Sequence, residues 1–181
     1  MARNLAPRLL AAAAVLAAAA AFVPAQAFPA GSAGSAASMA ELQNGVLQQL
    51  NVIRRQHGLV PLSVSPELSA AARQHTAEML SDGYFAHESA DGSAFWQRIE
   101  RFYPHVKSGY WSVAENLLWS GGSIDAKEAL DLWMASPGHR ENILTPEYRQ
   151  IGISARYATD APGTFAGGDV TVIDTDFGAR H

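Results

Sequence analysis

The spacing of apolar residues changes along this chain from the period of a helix to the pattern of a strand. Five apolar residues recur every three or four positions near the start of the chain, at Met39, Leu42, Val46, Leu50 and Ile53. This spacing predicts one buried face of a helix over residues 39–57. Two later runs, residues 151–157 and 170–177, flank a segment rich in glycine, proline and aspartate and predict a long-looped hairpin. Helices that precede an antiparallel strand pair indicate the α+β class, with helices packed on a small sheet.

Capping signals predict where the helices begin and end. Ser38 and Glu41 form the S-x-x-E pattern of a capping box, so the first helix is expected to begin there and to end at Gly58. The triplet Ser65-Pro66-Glu67 predicts the start of a second helix, which ends at residues 82–83. Shorter helices are predicted over residues 93–102 and 126–135.

The N-terminal residues carry the features of an export signal. Arg3 and Arg8 precede an almost pure Ala, Leu and Val run over residues 9–23, and Ala25-Gln26-Ala27 supplies a cleavage pattern. We predict a secretory signal peptide over residues 1–27, with an uncleaved anchor as the alternative, since the run is shorter than a spanning helix needs. The small residues 28–37 then predict a flexible linker, and residues 38–181 a single domain.

Composition restricts the partners of the exported chain. Cleavage removes two of 13 basic residues and none of 17 acidic ones, so the net charge falls from −4 to −6. A negative charge argues against nucleic acid as a partner. The chain has no cysteine, so the fold depends on its apolar core rather than on disulfides. We expect a soluble monomer without a transmembrane segment after cleavage, located outside the cell or in a periplasm.

Three separated residues could assemble a metal site. His87, Glu115 and His139 each follow a helix or lie in a loop flanked by apolar residues, where a charge is costly without partners. Two histidines and one carboxylate match a set that binds zinc and leaves a coordination position open. The alternative is that both histidines satisfy local backbone groups. His139 directly follows Ser136-Pro137-Gly138, which is expected to break the preceding helix and turn the chain.

The ordered motifs of the chain resemble the CAP superfamily, which joins cysteine-rich secretory proteins, antigen 5 and pathogenesis-related class 1 proteins. The domain is also called SCP, and the bacterial branch is the most similar. The resemblance extends over residues 39–178 and rests on these motifs: Leu50-Asn51-x-x-Arg54, Leu68-x-x-Ala71-Ala72-x-x-His75-x-x-x-Met79, Tyr84-Phe85-Ala86-His87, Glu115-Asn116-Leu117, Trp133-Met134-x-Ser136-Pro137-Gly138-His139-Arg140-x-Asn142-Ile143-Leu144, Ile151-Gly152-Ile153 and Asp176-Phe177-Gly178.

The resemblance implies a three-layer α-β-α sandwich with a small antiparallel central sheet and a central cleft. Eukaryotic members line this cleft with two histidines and two glutamates that can hold a divalent metal. His87, Glu115 and His139 match three of these positions, whereas Ser136 stands where the second glutamate would lie. The resemblance therefore implies weakly bound zinc or a similar cation. We expect four further residues to line the cleft: Ser136, His75, Asn116 and Asn142. His75 could equally be a hydrogen-bonded core histidine.

Three functions are compatible with these residues. The first, which we favour, is a non-catalytic extracellular binding module for a lipid-like, peptide or cell-wall ligand. The second is a metal-dependent hydrolase, a peptidase or esterase that activates water in the same cleft. Against it, the chain contains neither an HExxH helix nor a G-x-S-x-G turn, so a triad of Ser136, His139 and Glu115 is disfavoured. The third is a structural surface domain whose cleft has no role.

Overall fold

The computed structural model describes residues 36–106 and 109–181, which form five α-helices and a four-stranded sheet. The predicted signal peptide and residues 28–35 of the predicted linker lie outside the described residues. In chain order the elements are α1 (Ala36–Gln56), β1 (Ser63–Val64), α2 (Pro66–Asp82), α3 (Phe95–Phe102), β2 (Trp111–Gly121), α4 (Ala126–Ala135), α5 (Pro137–Leu144), β3 (Gln150–Ala161) and β4 (Gly168–Arg180).

Local capping explains both ends of α2, as predicted, and the start of α4. The Ser65 hydroxyl oxygen accepts a hydrogen bond from the Leu68 amide at 3.2 Å, and Pro66 occupies the first helical position. Gly83 ends α2 in the left-handed conformation, with a φ of 71°. Asp125 caps α4 by accepting from the Glu128 amide at 2.8 Å. These predictions are confirmed. They could be made from the sequence because each cap involves only residues within one helical turn.

The predicted start of the first helix is wrong by three residues. α1 begins at Ala36, so Ser38 lies inside its first turn instead of capping it. Alanine is the strongest helix former, and the helix extends through Ala36 and Ala37 on the N-terminal side of Ser38. The predicted end is confirmed, because α1 stops at Gln56 and Gly58 follows with a φ of 71°.

The sheet has the strand order β1-β3-β4-β2. β3 and β4 form the predicted antiparallel hairpin, with a short 3-10 turn at Gly163–Phe165 in its connection. β2 pairs antiparallel with β4 along its whole length and forms one edge of the sheet. Only the two-residue β1 runs parallel to its neighbour β3, so the sheet is antiparallel apart from this edge.

The helices cover both faces of the sheet, which confirms the three-layer sandwich. One face packs against α1, α4 and α5 in the main apolar cluster, which includes Val46, Leu50, Trp133, Ile143, Ile153, Ile173 and Phe177. The other face packs against α2 and α3 in two smaller clusters, which include Leu68, Ile99 and Tyr103, and Met79, Leu117 and Val172. Alternate residues of β2 and β4 therefore enter different layers.

None of the helices in residues 36–106 and 109–181 combines the length and the apolar character needed to span a bilayer.

Candidate functional site

The predicted site lies across β2, at the edge of the sheet. Glu115 and Asn116 are adjacent on this strand, so their side chains enter opposite layers. Glu115 faces the α2 and α3 layer, and Asn116 faces the α5 layer. The expectation that Glu115 lies in a loop or beyond a helix is therefore wrong. The strand gives no alternating pattern because residues 114–117 are buried on both faces.

Both carboxylate oxygens of Glu115 are engaged within the protein. Oε1 lies 2.6 Å from Nδ1 of His87, and Oε2 accepts a hydrogen bond from the Arg98 guanidinium. Arg98 is fully buried and also donates to the His87 carbonyl at 3.2 Å and to the Ser89 hydroxyl at 2.9 Å. One arginine from α3 thus holds the Glu115 carboxylate and the backbone of the loop that carries His87.

His87 combines a half-exposed ring with a buried hydrogen-bond partner. Its side chain is 50% exposed, whereas the Glu115 side chain bonded to it is 1% exposed. Among the described residues Nε2 has no hydrogen-bond partner, so this nitrogen is available to a ligand. The hydrogen bond from Glu115 raises the pKa of His87, because the carboxylate favours the protonated ring, although partial burial opposes the shift.

His139 lies in the opposite layer, close enough to His87 for the charge of His87 to affect its pKa. α4 ends at Ala135 and α5 begins at Pro137, so the predicted break is confirmed, but His139 lies on a second helix rather than in a loop. Proline is favoured at the first position of a helix, where no backbone donor is needed, so the same residue ends one helix and starts the next. Burial lowers the pKa of His139, and the nearby charge of His87 lowers it further.

Two asparagines fasten α5 to the edge strand. Asn116 donates to the His139 carbonyl at 3.1 Å, and Asn142 donates to the Glu115 carbonyl at 3.2 Å and to the Asn116 side-chain oxygen at 2.8 Å. His139 and Asn142 are three residues apart, so they share one face of α5. The hydrogen bonds of Asn116 and Asn142 thereby fix the position of His139 along β2.

The other two predicted cleft residues are His75 and Ser136. His75 is fully buried, and its Nε2 donates to the Ala86 carbonyl at 2.9 Å, so it matches the alternative of a hydrogen-bonded core histidine. Burial lowers its pKa, since the charged ring loses hydration. Ser136 is half-buried at the junction of α4 and α5, where its backbone amide donates to the Trp133 carbonyl at 3.1 Å.

The hydrogen bond between Glu115 and His87 changes which residues of the predicted set of three are candidates for direct zinc binding. Glu115 already bonds Nδ1 of His87, which is the arrangement by which a carboxylate orients a metal-binding histidine. Across the described residues, one group of three or more His, Cys, Asp or Glu brings its ligand atoms within 4.8 Å, and it consists of Glu115, Asp174 and Asp176. His87 and His139 are therefore the candidates for direct zinc binding, and that role stays a prediction.

Three functional candidates were missed from the sequence: Arg98, Asp174 and Asp176. Arg98 shares the helix face of Phe95, Ile99 and Phe102, and a charge at helical spacing among apolar residues is the signal that could have identified it. The two aspartates lie two residues apart in a strand that also carries the apolar residues Val172 and Phe177. Acidic residues are rare in such a buried strand, and this is the signal that could have identified them.

A separate cavity of about 860 Å³ opens at the end of the sheet where β2 begins and β4 ends. Its lining includes Tyr110, Arg149 and Arg180, and contains none of the predicted site residues.

The comparison with protein families decides the identity of this fold. A model of the cysteine-rich secretory protein family, CAP, matches residues 47–170, which is more than half of the chain. The chain belongs to the CAP family. The resemblance proposed from the motifs is thereby confirmed, and the match includes the segments that carry His87, Glu115 and His139.

Bacterial proteins are among the relatives of this CAP protein. It is 30% identical over 117 residues to the uncharacterised protein YkwD of Bacillus subtilis, a match that covers 65% of this chain and 43% of YkwD. It is 28% identical over 108 residues to the uncharacterised membrane protein YlbC of the same organism, covering 60% and 30% of the two chains. The chain thus spans less than half the length of the curated relatives it matches.

Solved structures share the fold of this CAP protein. An outer surface protein of Borrelia burgdorferi matches with a TM-score of 0.61 and 19% identity, over 78% of this chain and 94% of that one. An extracellular protein containing an SCP domain from Bacillus anthracis matches with a TM-score of 0.57 and 24% identity, over 86% and 45%. At these identities the likeness establishes the fold alone.

Proposed function

We propose that this CAP protein is exported and acts outside the cell as a non-catalytic binding module. Two features support export. The N-terminus has the order of a signal peptide, and the structural relatives are described as an outer surface protein and an extracellular protein. The binding site is the cleft at the edge of β2, between His87 and His139.

The arrangement of Glu115 is the observation that carries this proposal. A hydrolase of the alternative mechanism needs a carboxylate that can accept a proton from water. Here the Glu115 side chain is 1% exposed, one of its oxygens is bonded to His87 and the other is in an ion pair with buried Arg98, so solvent water does not reach it. The carboxylate is held in place by Arg98, and its bond orients the His87 ring. This is a geometry suited to presenting a fixed imidazole to a ligand.

The surroundings of His87 indicate the chemistry of the ligand. The Phe95 ring lies with its centroid 6.2 Å from that of His87, and Trp96 next to it is 41% exposed. A raised pKa keeps His87 positively charged over a wider pH range, so it attracts an anionic group. An apolar molecule with a carboxylate, either a lipid-like acid or a peptide C-terminus, complements both features.

In their neutral forms, the two imidazoles are also proposed to bind a divalent metal weakly. Nitrogen ligands suit zinc, which would polarise a bound carbonyl or water when present. The proposed ligand set has two protein nitrogens, fewer than the three protein ligands of a typical open zinc site, which accounts for low affinity.

The metal arm of the proposal is tested by calorimetric titration with zinc. Weak binding by the wild type should be lost in both His87→Ala and His139→Ala. The control is His105→Ala, because His105 is 58% exposed and also bonds a glutamate, Glu100, at 2.7 Å, but lies outside the cleft. His105→Ala should bind zinc as the wild type does. Unchanged binding by both cleft variants would show that the two histidines are not zinc ligands.

The organic-ligand arm is tested by titrating ¹⁵N-labelled protein with laurate. Amide resonances around residues 87, 95 and 139 should shift in the wild type and not in His87→Ala. If laurate shifts no resonance in this region, the lipid-like ligand is wrong. A nitrophenyl ester hydrolysed faster by the wild type than by His139→Ala would overturn the non-catalytic assignment and favour the hydrolase.

A further inference from the structure

A second group of acidic side chains lies behind the cleft, between the sheet and α2. Asp174 and Asp176 are two residues apart on β4, so both side chains point to the same face of the sheet. The strand register places Asp176 directly opposite Glu115 of β2. Carboxylate oxygens of the three residues lie within 4.8 Å of one another. This face is not the main apolar core but the layer shared with α2 and α3.

The two aspartates are buried without hydrogen-bond donors. Both are fully buried, and none of their four carboxylate oxygens has a hydrogen-bond partner among the described residues. Each buried polar atom left in this state costs about 1–3 kcal/mol, and more when it is charged. Four such atoms on two neighbouring side chains therefore indicate a bound species that satisfies them.

Most of the neighbouring polar groups on α2, α3 and β3 are already engaged. From α2, the Thr76 hydroxyl is 2.8 Å from the Ser154 hydroxyl of β3, and His75 donates to a backbone carbonyl. From α3, the Nη atoms of Arg98 donate to Glu115, to the Ser89 hydroxyl and to a loop carbonyl, and only its Nε is left without a partner among the described residues. The surrounding protein thus offers few hydrogen-bond donors to the two aspartates.

Charge balance specifies what the cluster requires. When the His87 ring bonded to Glu115 is neutral, the three carboxylates carry three negative charges and Arg98 carries one positive charge, which leaves two negative charges. His75 does not offset them, because burial lowers its pKa and favours the neutral ring. One divalent cation, or two protons, would neutralise the cluster. Burial and the neighbouring carboxylates raise the pKa of Asp174 and of Asp176, which favours their protonated forms in the metal-free protein.

We propose that Asp174, Asp176 and Glu115 form a buried site for a hard divalent cation, such as manganese, calcium or magnesium. The ligand atoms are all oxygens, which these ions prefer over the nitrogens that suit zinc. Glu115 need not release Arg98 or His87, because each carboxylate oxygen has two lone pairs. The site is distinct from the cleft histidines and connects to them only through the Glu115 carboxylate.

Manganese binding tests the proposal because bound Mn²⁺ is counted directly by electron paramagnetic resonance. The protein is refolded from urea in the presence of Mn²⁺, so that entry into a buried site does not limit loading. The wild type should retain one equivalent after desalting. The double variant His87→Ala/His139→Ala should retain it too, whereas Asp174→Asn/Asp176→Asn should lose it while keeping its circular dichroism spectrum.

Two results would overturn the site: no retained Mn²⁺ in the wild type, or full retention in the aspartate double variant. If the double variant fails to fold, Asp174→Asn alone should bind Mn²⁺ at least about tenfold more weakly than the wild type, and equal affinity would refute the assignment. Infrared spectroscopy gives a second readout. The protonated-carboxyl band of the metal-free wild type should vanish on loading, and its persistence would show that protons occupy the cluster instead.

The result of the manganese experiment can be distinguished from the result of the zinc experiment on the cleft histidines. Loss of zinc binding in the cleft variants with retained Mn²⁺ supports both sites. Loss of Mn²⁺ binding in the cleft variants would show that manganese had been bound by the histidines, and the buried site would then be wrong.

Discussion

Replacing Arg98 by methionine should destabilise the protein by about 3–5 kcal/mol, because it leaves a buried carboxylate without its partner. Arg98 is fully buried and the Glu115 side chain is 1% exposed, so water cannot replace the guanidinium. The substitution also removes the hydrogen bonds that Arg98 donates to the Ser89 hydroxyl and to the His87 carbonyl. Methionine keeps most of the apolar stem, so the loss reports the charge and its hydrogen bonds.

The expected loss is a large part of the whole stability, which is about 5–15 kcal/mol for a typical domain. For a protein of this size about 1 kcal/mol lowers the melting temperature by about 2–4 °C, so a decrease of about 6–20 °C is expected. Urea unfolding at pH 7, followed by circular dichroism, measures the free energy of unfolding directly.

The matched control is Arg101→Met on the same helix. Arg101 is 52% exposed and forms its ion pair, at 3.5 Å, with Asp91, which is 58% exposed. Exposed pairs contribute at most about 1 kcal/mol, so this variant should be nearly as stable as the wild type. Adding Glu115→Gln to Arg98→Met should restore part of the loss by removing the uncompensated charge. Equal destabilisation by the two arginine variants would refute the reasoning.

Three further predictions follow, two from the structure and one from the sequence. NMR titration of the metal-free protein should give His87 a pKa above 6.5, and Glu115→Gln should lower it; the stability contributed by this pair is present below about pH 6.5 and is lost as the pH rises through the folded-state pKa. Gly152→Ala should lower the free energy of unfolding by at least about 2 kcal/mol, because its methyl group would overlap the backbone of α2. Gly138→Ala has open space around the new methyl group and should be neutral or stabilising by up to about 1 kcal/mol, so equal effects at the two glycines would contradict this packing. Mass spectrometry of exported protein should find a new N-terminus directly after Ala27, and an intact first residue would contradict cleavage.

The sequence alone determined the features that depend on neighbouring residues. The caps of α2 and α4, the break at Ser136 and the β3–β4 hairpin all follow from interactions within a few positions. The family was also readable from the sequence, because its motifs occur in order along the chain and include His87 and His139.

The tertiary structure alone decided which distant groups meet. β2 gave no periodic signal because helices cover both of its faces, and its place at the sheet edge depends on pairing with a strand more than 50 residues later. That register puts Glu115 opposite Asp176, and the packing of α3 then brings Arg98 to the same carboxylate. Neither contact has a local signature, since burial and charge pairing are properties of the assembled layers.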